Sequence, residues 1–427
     1  MKLFQLAKDE KGHIKSFKLF GLNLMDSVTT LYKTSGYKND PLKKVYKKYL
    51  GGTVYKRRLY NQCGIYKKDI GAFNAAVLET ERLNGYKTYK IFGKEVYSRP
   101  QEFLVDFKKE CIDSLDKKYD DVYVLLRHIG DAYGCLIFIH ELIKKNNSKQ
   151  PLIMVFSSQF NDLVKMTCPD IPCVFINSKK PFTKRLFTRF SKEFFEFCGI
   201  RFYPLTNSWI LGTKLGRGFQ KAIDESQHRL YAYSYFFDIK LENCSIERAK
   251  VLPDAESSMI YKCRQNSFNL EKFVFLAAET FSGGAVLLPL EFWRNLIKEF
   301  NKKGYDVYVN TVAKRQEGKQ FYHYGIIPDY DIGEPSNYKS FYLTLAECFA
   351  LASKAKKIVA IRSGLTELLS QCDSETYILY TGDIAKKAQA FNTLSKYPCT
   401  NKVKLHEFVM TEVSIYDCIK NIVEGVS

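Results

Sequence analysis

The sequence has no long hydrophobic run, and its cysteines are never closely paired. No stretch reaches the roughly 18–20 apolar residues that cross a bilayer, and the first residues lack the apolar core of a secretory signal. We therefore expect a soluble, cytoplasmic protein. The 12 cysteines are scattered singly without a Cys-x-x-Cys pair, which disfavours a structural zinc site and predicts free, mostly buried thiols.

Several short motifs of known chemistry are also missing. The chain has no Gly-x-Gly-x-x-Gly, no Walker loop and no Gly-x-Ser-x-Gly, which disfavours dinucleotide binding, NTP hydrolysis and serine hydrolysis. Asp329 and Asp331 have the spacing of a metal-binding Asp-x-Asp, but the neighbouring Pro328 and Gly333 favour a turn. We expect neither a metal nor a cofactor.

Acidic residues are scarce relative to basic ones. The 427 residues include 65 Lys and Arg against 46 Asp and Glu, a formal net charge of +19. Residues 1–60 are especially basic, with 14 Lys and Arg against 4 Asp and Glu. Clustered basic residues attract anionic lipid headgroups, although the same charge also serves as a solvated surface. No RNP-like signature accompanies the charge, so we do not expect nucleic acid as a partner.

Residues 1–118 form a basic, aromatic-rich region with a short internal repeat. The segment KSFKLFGLNL, starting at Lys15, matches KTYKIFGKEV, starting at Lys87. Each copy predicts a hairpin, because alternating apolar residues precede a glycine turn. Between the two copies, the sequence predicts helices from Lys43 to Lys48 and from Ala72 to Leu83.

From Asp121 onwards, short apolar strands alternate with helices, and the pattern starts again near residue 266. This alternation predicts parallel, doubly wound α/β sheets whose ligands bind outside the carboxyl ends of the strands. Residues 201–265 are Tyr-rich and show no clear pattern. The predicted strands are Val122–Leu126, Leu152–Phe156, Cys173–Ile176, Phe273–Ala278, Asp306–Val312, Ile358–Ile361 and Tyr377–Tyr380. The predicted helices are Asp131–Lys145, Asn161–Met166, Arg185–Phe197, Pro289–Lys303, Leu343–Ala355, Leu365–Cys372 and Ser414–Val423.

Asp131 is the first candidate for catalysis. It lies where the strand Val122–Leu126 gives way to a helix, in the sequence Arg-His-Ile-Gly-Asp. Gly130 permits a tight turn there, and His128 belongs to the same loop. A carboxylate at this position would face the cleft and could take a proton from an acceptor hydroxyl as a general base. The alternative is a carboxylate that only caps the helix.

Arg362, Ser363 and Gly364 form the second candidate, after the strand Ile358–Ile361. A helix N-terminus offers free N–H groups to an anion, and a small Ser-Gly turn lets a phosphate approach closely. The Arg362 guanidinium adds a planar donor that matches phosphate oxygens. Glu367, one turn later, could accept a hydrogen bond from a ribose or a donor sugar, or merely stabilise the helix.

The loop from Thr280 to Gly284 is a less specific candidate. Its position after the strand Phe273–Ala278 suggests contacts to a donor or an acceptor, with the hydroxyls of Thr280 and Ser282 as donors. Asn310 and Lys314, at the end of the next strand, could line the same cleft.

Three of these segments resemble the heptosyltransferase family of GT-B glycosyltransferases. Val122–Leu142 is similar to that family's opening motif of strand, Ile-Gly-Asp and amphipathic helix, and Phe273–Thr311 resembles the first βαβ unit of its donor domain. Lys357–Leu369 stands at the place of its strand–Asp-Ser-Gly–helix motif, where Arg362 replaces the family's aspartate and the usual following histidine is absent. The strand–Arg-Ser-Gly-Leu–helix segment and the two hairpins also resemble bacterial glycosyltransferases of surface-polysaccharide loci.

The resemblance covers about residues 120–425 and implies an architecture. It implies a GT-B fold, in which two Rossmann-like domains face each other across a cleft. Residues 119–265 would hold the acceptor. Residues 266–427 would hold the nucleotide-sugar donor and end in a closing helix, and residues 1–118 would be a basic α+β extension.

The resemblance also implies an activity. It implies metal-independent, inverting transfer of a hexosyl or heptosyl group from a nucleotide sugar to a lipopolysaccharide or capsule acceptor, with Asp131 as the base. The expected partners are the donor, a lipid-linked or oligosaccharide acceptor and an anionic membrane at the inner face of the plasma membrane. Two alternatives are a non-catalytic glycan- or nucleotide-binding scaffold of the same fold and a nucleotide-sugar epimerase, which would need no acceptor.

Overall fold

The computed structural model divides into two compact units, Met1–Asp120 with Ile176–Thr213 and Asp121–Phe175 with Lys214–Ser427. The residues that it describes are 4–8, 14–19, 22–33, 41–49, 52–61, 64–72, 75–83, 86–92, 94–100, 102–115, 119–125, 128–178, 194–205, 214–244, 247–278, 288–310, 338–381 and 393–425.

The first unit is built on a sheet of nine strands in chain order, each antiparallel to the next. The strands are β1 (Phe4–Lys8), β2 (Ile14–Leu19), β3 (Leu22–Lys33), β4 (Pro41–Tyr49), β5 (Gly52–Asn61), β6 (Gly64–Ala72), β7 (Ala75–Leu83), β8 (Tyr86–Ile91) and β9 (Lys94–Pro100). Both predicted hairpins are confirmed, as β2–β3 and β8–β9. The helices predicted from Lys43 to Lys48 and from Ala72 to Leu83 are wrong, because the first lies within β4, Ala72 ends β6 and Ala75–Leu83 forms β7.

The other described elements of the first unit are a short helical segment and a hairpin. Helix α1 (Glu102–Phe107) continues into a π-helical turn at Lys108–Ile112, and β13 (Phe195–Phe197) pairs antiparallel with β14 (Ile200–Pro204). The helix predicted from Arg185 to Phe197 is wrong at its end, which is β13. Residues 179–193 lie outside the described residues.

The second unit contains two parallel sheets. In the first, β10 (Asp121–Val124), β11 (Pro151–Val155) and β12 (Cys173–Phe175) run parallel with β11 in the middle. The helices that follow β10 are α2 (Ile129–Leu136) and α3 (Ile139–Lys145), and α4 (Ser158–Thr167) follows β11. The predicted single helix to Lys145 is thus interrupted at Ile137 and Phe138. Residues 201–265, which show no clear pattern in the sequence, contain α5 (Lys214–Asp224), α6 (Arg229–Phe237) and α7 (Pro253–Gln265).

The second parallel sheet has six strands in the order β17-β16-β15-β18-β19-β20. This is the 3-2-1-4-5-6 order of a doubly wound Rossmann sheet, and all five pairings are parallel. The strands are β15 (Phe273–Ala277), β16 (Asp306–Val309), β17 (Tyr338–Lys339), β18 (Lys357–Ile361), β19 (Glu375–Tyr380) and β20 (Leu405–Val409). The helices are α8 (Leu290–Lys302), α9 (Leu345–Lys354), α10 (Thr366–Leu369) and α11 (Ile415–Glu424). The α/β class and its predicted strands are confirmed, whereas β17 and β20 were not predicted.

The central strands of these sheets are apolar because both of their faces are covered by helices. All five residues of β15 and of β18 are buried, and α8 and α11 pack on the same core as Val359 and Ile361. Gly304 lies just after the C-terminus of α8 and has a φ of +72°, a conformation that favours glycine. No helix in the described part of the chain is long and apolar enough to cross a bilayer.

Candidate functional site

Asp131 is held by two side chains of helix α6. Its Oδ1 accepts a hydrogen bond from the Tyr233 hydroxyl at 2.8 Å and another from Arg229 Nη2 at 3.2 Å. Asp131 is only 8% exposed. The N-cap residue of α2 is His128, whose side chain makes no capping bond, and Asp131 lies in the first turn. The carboxylate is therefore fixed by tertiary contacts, beyond any effect on the helix start.

Arg229 and Tyr233 are functional candidates that the sequence did not reveal. They lie four residues apart, so one face of α6 presents both toward Asp131. The signal available in the sequence was a single cation at the start of the aromatic-rich segment RLYAYSYFF. Gly134 lets the two helices approach, because a Cβ there would lie 2.7 Å from Tyr233 Cε2.

Glu367 is the centre of an ion-paired cluster. The residue is fully buried, and its Oε1 accepts hydrogen bonds from Arg229 Nη1 and from Arg362 Nη2, both at 2.9 Å. The pairs run from Asp131 through Arg229 and Glu367 to Arg362. They connect the residues that follow β10 with those that follow β18. We call these four residues the ion cluster.

Both arginines of the ion cluster stay charged although they are buried. Burial by itself lowers the pKa of the Arg229 guanidinium, but the carboxylates of Glu367 and Asp131 and the neighbouring tyrosines raise it by more, so the net shift is well upward. Burial likewise lowers the pKa of Arg362, but the Glu367 carboxylate raises it, and the net shift is upward. The cluster therefore contains two fixed positive charges next to two carboxylates.

The turn at Arg362 differs from the predicted phosphate site in two ways. Helix α10 has only four residues, Thr366–Leu369, where a helix from Leu365 to Cys372 was predicted. The N–H of Ser363 donates to Thr366 Oγ1 at 3.1 Å, and Arg362 Nη1 donates to Thr366 Oγ1 at 3.2 Å and to the Ser363 carbonyl. The free N–H groups expected at a long helix start are thus partly engaged within the turn.

Two glycines bring the loops after β10 and β18 into direct contact. A Cβ on Gly364 would lie 2.7 Å from the Gly130 nitrogen, and a Cβ on Gly130 would lie 2.8 Å from Glu367 Oε1. Real Cβ atoms do not approach so closely, so any side chain at either position would push the two loops apart. The close approach of the two loops, and with it the ion cluster, therefore requires glycine at both positions.

His228 borders the ion cluster as a neutral ring. Burial, followed by the charges of Arg229 and Arg362, lowers the pKa of His228 to about 3. Its Nδ1 accepts a hydrogen bond from the Leu230 N–H at 3.3 Å. The His228 ring meets the ring of Tyr397 edge-on, with centroids 4.9 Å apart.

Two buried side-chain oxygens in the segment after β18 lack a hydrogen-bond partner among the described residues. They are Ser363 Oγ and Glu367 Oε2. A buried acceptor or hydroxyl left unsatisfied costs about 1–3 kcal/mol, so native proteins rarely leave such atoms unpaired. A polar ligand would satisfy both.

The structure thus brings together five of the predicted site residues, namely Gly130, Asp131, Arg362, Gly364 and Glu367, with Ser363 in the same turn. Asn310 follows β16 and accepts a hydrogen bond from Cys348 Sγ at 3.2 Å, and His128 is exposed. Thr280, Ser282 and Lys314 lie outside the described residues, as does the Asp329–Asp331 pair. Among the described residues, no three His, Cys, Asp or Glu side chains come together to hold a metal ion.

No family model matches this chain, and no curated protein matches it. Its fold is similar to solved glycosyltransferase structures. One is a glycosyl transferase family 9 protein from Veillonella parvula, with 9% identity and a TM-score of 0.44; the match covers 73% of this chain and 93% of that one. Another is the ADP-heptose lps heptosyltransferase II of E. coli, with 12% identity, a TM-score of 0.40 and coverage of 71% and 96%. A third is the E. coli heptosyltransferase WaaC with ADP, with 10% identity, a TM-score of 0.37 and coverage of 71% and 99%.

Proposed function

We propose that the chain is a GT-B glycosyltransferase that moves a sugar from a nucleotide-sugar donor to a surface-glycan acceptor of the lipopolysaccharide or capsule type. Residues 119–265 would bind the acceptor and residues 266–427 the donor. One observation carries the proposal: a buried, oriented carboxylate after β10 is joined by ion pairs to an Arg-Ser-Gly turn after β18. The carboxyl ends of parallel strands are where ligands of such sheets bind.

Asp131 is the proposed general base. Tyr233 and Arg229 both bind Oδ1, and no described residue donates a hydrogen bond to Oδ2. Oδ2 is therefore the oxygen left for the hydroxyl of an acceptor. As that hydroxyl oxygen bonds to the anomeric carbon, its proton passes to Asp131 and the bond from the anomeric carbon to the diphosphate breaks. A single displacement of this kind inverts the anomeric centre.

Arg362 and Ser363 are the proposed contacts of the departing diphosphate. The charge of Arg362 is permanent, and the Ser363 hydroxyl has no partner among the described residues. Charge that develops on a leaving group is stabilised best by donors already in place. Glu367 Oε2 would accept from a ribose or sugar hydroxyl, and we propose Thr280, Ser282, Asn310 and Lys314 as further donor contacts. We propose no metal in this step.

A nucleotide panel tests donor binding. Thermal unfolding would be followed with ADP, GDP, UDP, CMP and their sugar conjugates. A ligand at about 100 times its Kd adds roughly 2.7 kcal/mol of stability, enough to raise the Tm by several degrees. A rise with one base alone supports the transferase and identifies its donor class, and no rise with any nucleotide contradicts it.

A non-catalytic scaffold of the same fold is the second candidate. Both arginines of the ion cluster are already paired with Glu367, as expected if the cluster served only to hold the protein together. A turnover assay with donor and glycan acceptor separates the two candidates. Turnover of the nucleotide sugar without any acceptor would instead indicate an epimerase.

A further inference from the structure

The nine-stranded sheet carries its charges unequally on its two faces. Successive residues of a strand alternate between faces, and residues paired across antiparallel strands share a face. The registers place Lys43, Arg58 and Lys68 side by side on one face across β4, β5 and β6. We call it the basic face. From β4 to β9 it holds nine basic residues and no acidic one.

The opposite face is balanced. All four acidic residues of β4–β9 lie there, together with five basic residues. One row across β5–β9 consists of Arg57, Asp69, Glu79, Lys90 and Glu95, paired in register. Charges of both signs thus lie side by side on this face, which we call the mixed face.

The side chains of β8 and β9 agree with these registers. The rings of Tyr89 and Tyr97 lie 5.8 Å apart on the basic face, and Lys87 Nζ lies 4.6 Å from the Tyr89 ring centre. On the mixed face, the hydroxyls of Thr88 and Ser98 lie 3.0 Å apart. Tyr97 is 56% exposed. Every residue of β9 whose side chain is described is exposed, on both faces, so nothing in the described part of the chain covers this strand.

The rows of like charge on the basic face do not stabilise the sheet. Like charges directly opposite each other across strands are destabilising, and the backbone registers pair Lys43 with Arg58 and Arg58 with Lys68. A partner of opposite charge would offset this cost. The mixed face also pairs like charges, at Lys44–Arg57 and Asp69–Glu79, but there an opposite charge of the same face lies in the adjacent strand.

We propose that the basic face docks on an anionic lipid bilayer. This rests on the proposed function only in that a lipid-linked acceptor would place the enzyme at such a surface. Strands about 4.8 Å apart spread the charge over a broad area, as an array of lipid phosphates requires, rather than along one narrow stripe. Tyr89 and Tyr97 add amphipathic rings, which are typical of membrane–water interfaces.

Two variants with the same loss of charge test this proposal in the full chain. The first is Lys43→Thr, Lys47→Thr, Arg58→Thr and Lys68→Thr on the basic face. The second is Lys44→Thr, Lys48→Thr, Arg57→Thr and Lys67→Thr on the mixed face. Each removes three lysines and one arginine from the same three strands, at adjacent positions. Circular dichroism and thermal unfolding would first show that both variants are folded.

Sedimentation with phosphatidylcholine vesicles, with and without 30 mol% phosphatidylglycerol, is the measurement. We expect wild-type binding only to the anionic vesicles, weaker at high salt. The basic-face variant should bind them about tenfold or more weakly, and the mixed-face variant within about threefold of wild type, because each basic residue near an anionic surface contributes separately.

Three results would overturn the proposal. They are no wild-type binding to anionic vesicles, an equal loss in both variants, and a basic-face dependence stronger for single-stranded RNA than for vesicles. The first two exclude this face as a membrane contact, and the third identifies a nucleic-acid surface. The assay needs no donor, so a failure of the nucleotide panel leaves its outcome unaffected.

Discussion

Asp131 is the residue whose replacement should separate chemistry from binding. Asp131→Asn keeps the shape of the side chain but removes the base, so we expect turnover to fall about 10²–10⁴-fold. Nucleotide affinity should stay within about twofold of wild type, because the base acts on the acceptor hydroxyl. Turnover with acceptor and the nucleotide Kd by calorimetry are the two measurements.

Asp417→Asn is the matched control for Asp131. Asp417 also lies in the first turn of a helix, α11, but it is exposed, and its side chain bonds to no described residue except the cap residue Ser414. The Asp417→Asn variant should leave both turnover and the nucleotide Kd unchanged. An Asp131→Asn variant that lost turnover and nucleotide binding to the same extent would mean that Asp131 acts on the fold rather than on the acceptor.

Tyr233 positions the carboxylate, and its hydroxyl can be removed alone. Tyr233→Phe deletes the 2.8 Å bond to Asp131 Oδ1. We expect a loss of about 1–2 kcal/mol in unfolding free energy. We also expect kcat to fall by a larger factor than the KM for the donor changes. The Tyr233 ring stays in place, but the Asp131 carboxylate loses one of its two hydrogen bonds. Tyr235→Phe, on the same helix with Tyr235 40% exposed, should change neither value.

His228 makes stability depend on pH. Its pKa is about 3 in the folded chain and about 6.5 when unfolded. Below pH 6.5 the unfolded chain gains a proton that the folded chain takes up only near pH 3, so stability falls as the pH falls. The loss is about 1.4 kcal/mol per pH unit in this window. Above pH 6.5 the residue contributes no pH dependence.

Urea unfolding at pH 7 and pH 5 measures this effect. His228→Gln should reduce the difference in unfolding free energy between the two pH values by about 2 kcal/mol. His128→Gln replaces an exposed histidine and should leave the difference unchanged. If His228→Gln also leaves it unchanged, His228 is protonated in the folded chain.

At the scale of elements, the packing of α2 on α6 depends on Gly134. Alanine would favour the helix by about 1 kcal/mol, but its Cβ would lie 2.7 Å from a buried ring carbon of Tyr233. The contact should dominate, because overpacking a buried site costs about 1–3 kcal/mol. We therefore expect Gly134→Ala to lower the unfolding free energy and to reduce turnover by displacing Tyr233.

A double-mutant cycle tests the packing of α2 on α6. In a Tyr233→Ala background the ring is gone, so Gly134→Ala should become neutral or slightly stabilising. The two changes would then be non-additive by about 1 kcal/mol or more, as expected of residues in contact. Additive effects would show that Gly134 acts through something other than the Tyr233 ring.

The parallel sheets were predictable because their strands are buried on both faces. A run such as FVFLA at Phe273–Ala277 is apolar throughout, and short runs of this kind between helices are typical of buried parallel strands. The antiparallel sheet was predicted only at its glycine-turn hairpins. Segments such as KKVYKK are too short to distinguish a period of 2 from one of 3.6, so pairing with neighbouring strands decides their structure.

The site was predictable only where it follows such a strand. Asp131 and Arg362 were found because Arg362 comes directly after a buried strand and Asp131 lies in the first turn of the helix that follows another, at the end where ligands bind. Arg229 and Tyr233 lie on α6, in a segment without a clear pattern, and reach the site through tertiary packing. The pairing of Arg362 with Glu367 also depends on how short α10 is, which the sequence does not specify.

At the scale of the second unit, Glu367 links the two parallel sheets. It comes from the turn after β18, yet it pairs with Arg229 of α6, which in turn pairs with Asp131 after β10. Two guanidinium groups converge on one of its oxygens. Replacing Glu367 leaves both positive charges close together and buried, with Asp131 as the only remaining carboxylate of the ion cluster.

Glu367→Gln should therefore be costly. Removing one partner of a buried ion pair typically costs about 3–5 kcal/mol, because the other charge is left uncompensated. We expect a decrease of about 3 kcal/mol in the free energy of unfolding by urea, since the amide still accepts hydrogen bonds. Glu412→Gln removes the same charge from an exposed position and should stay within about 0.5 kcal/mol of wild type. Equal stability of the two variants would show that Glu367 does not hold the second unit together, and the ion cluster would then be free to serve ligand binding alone.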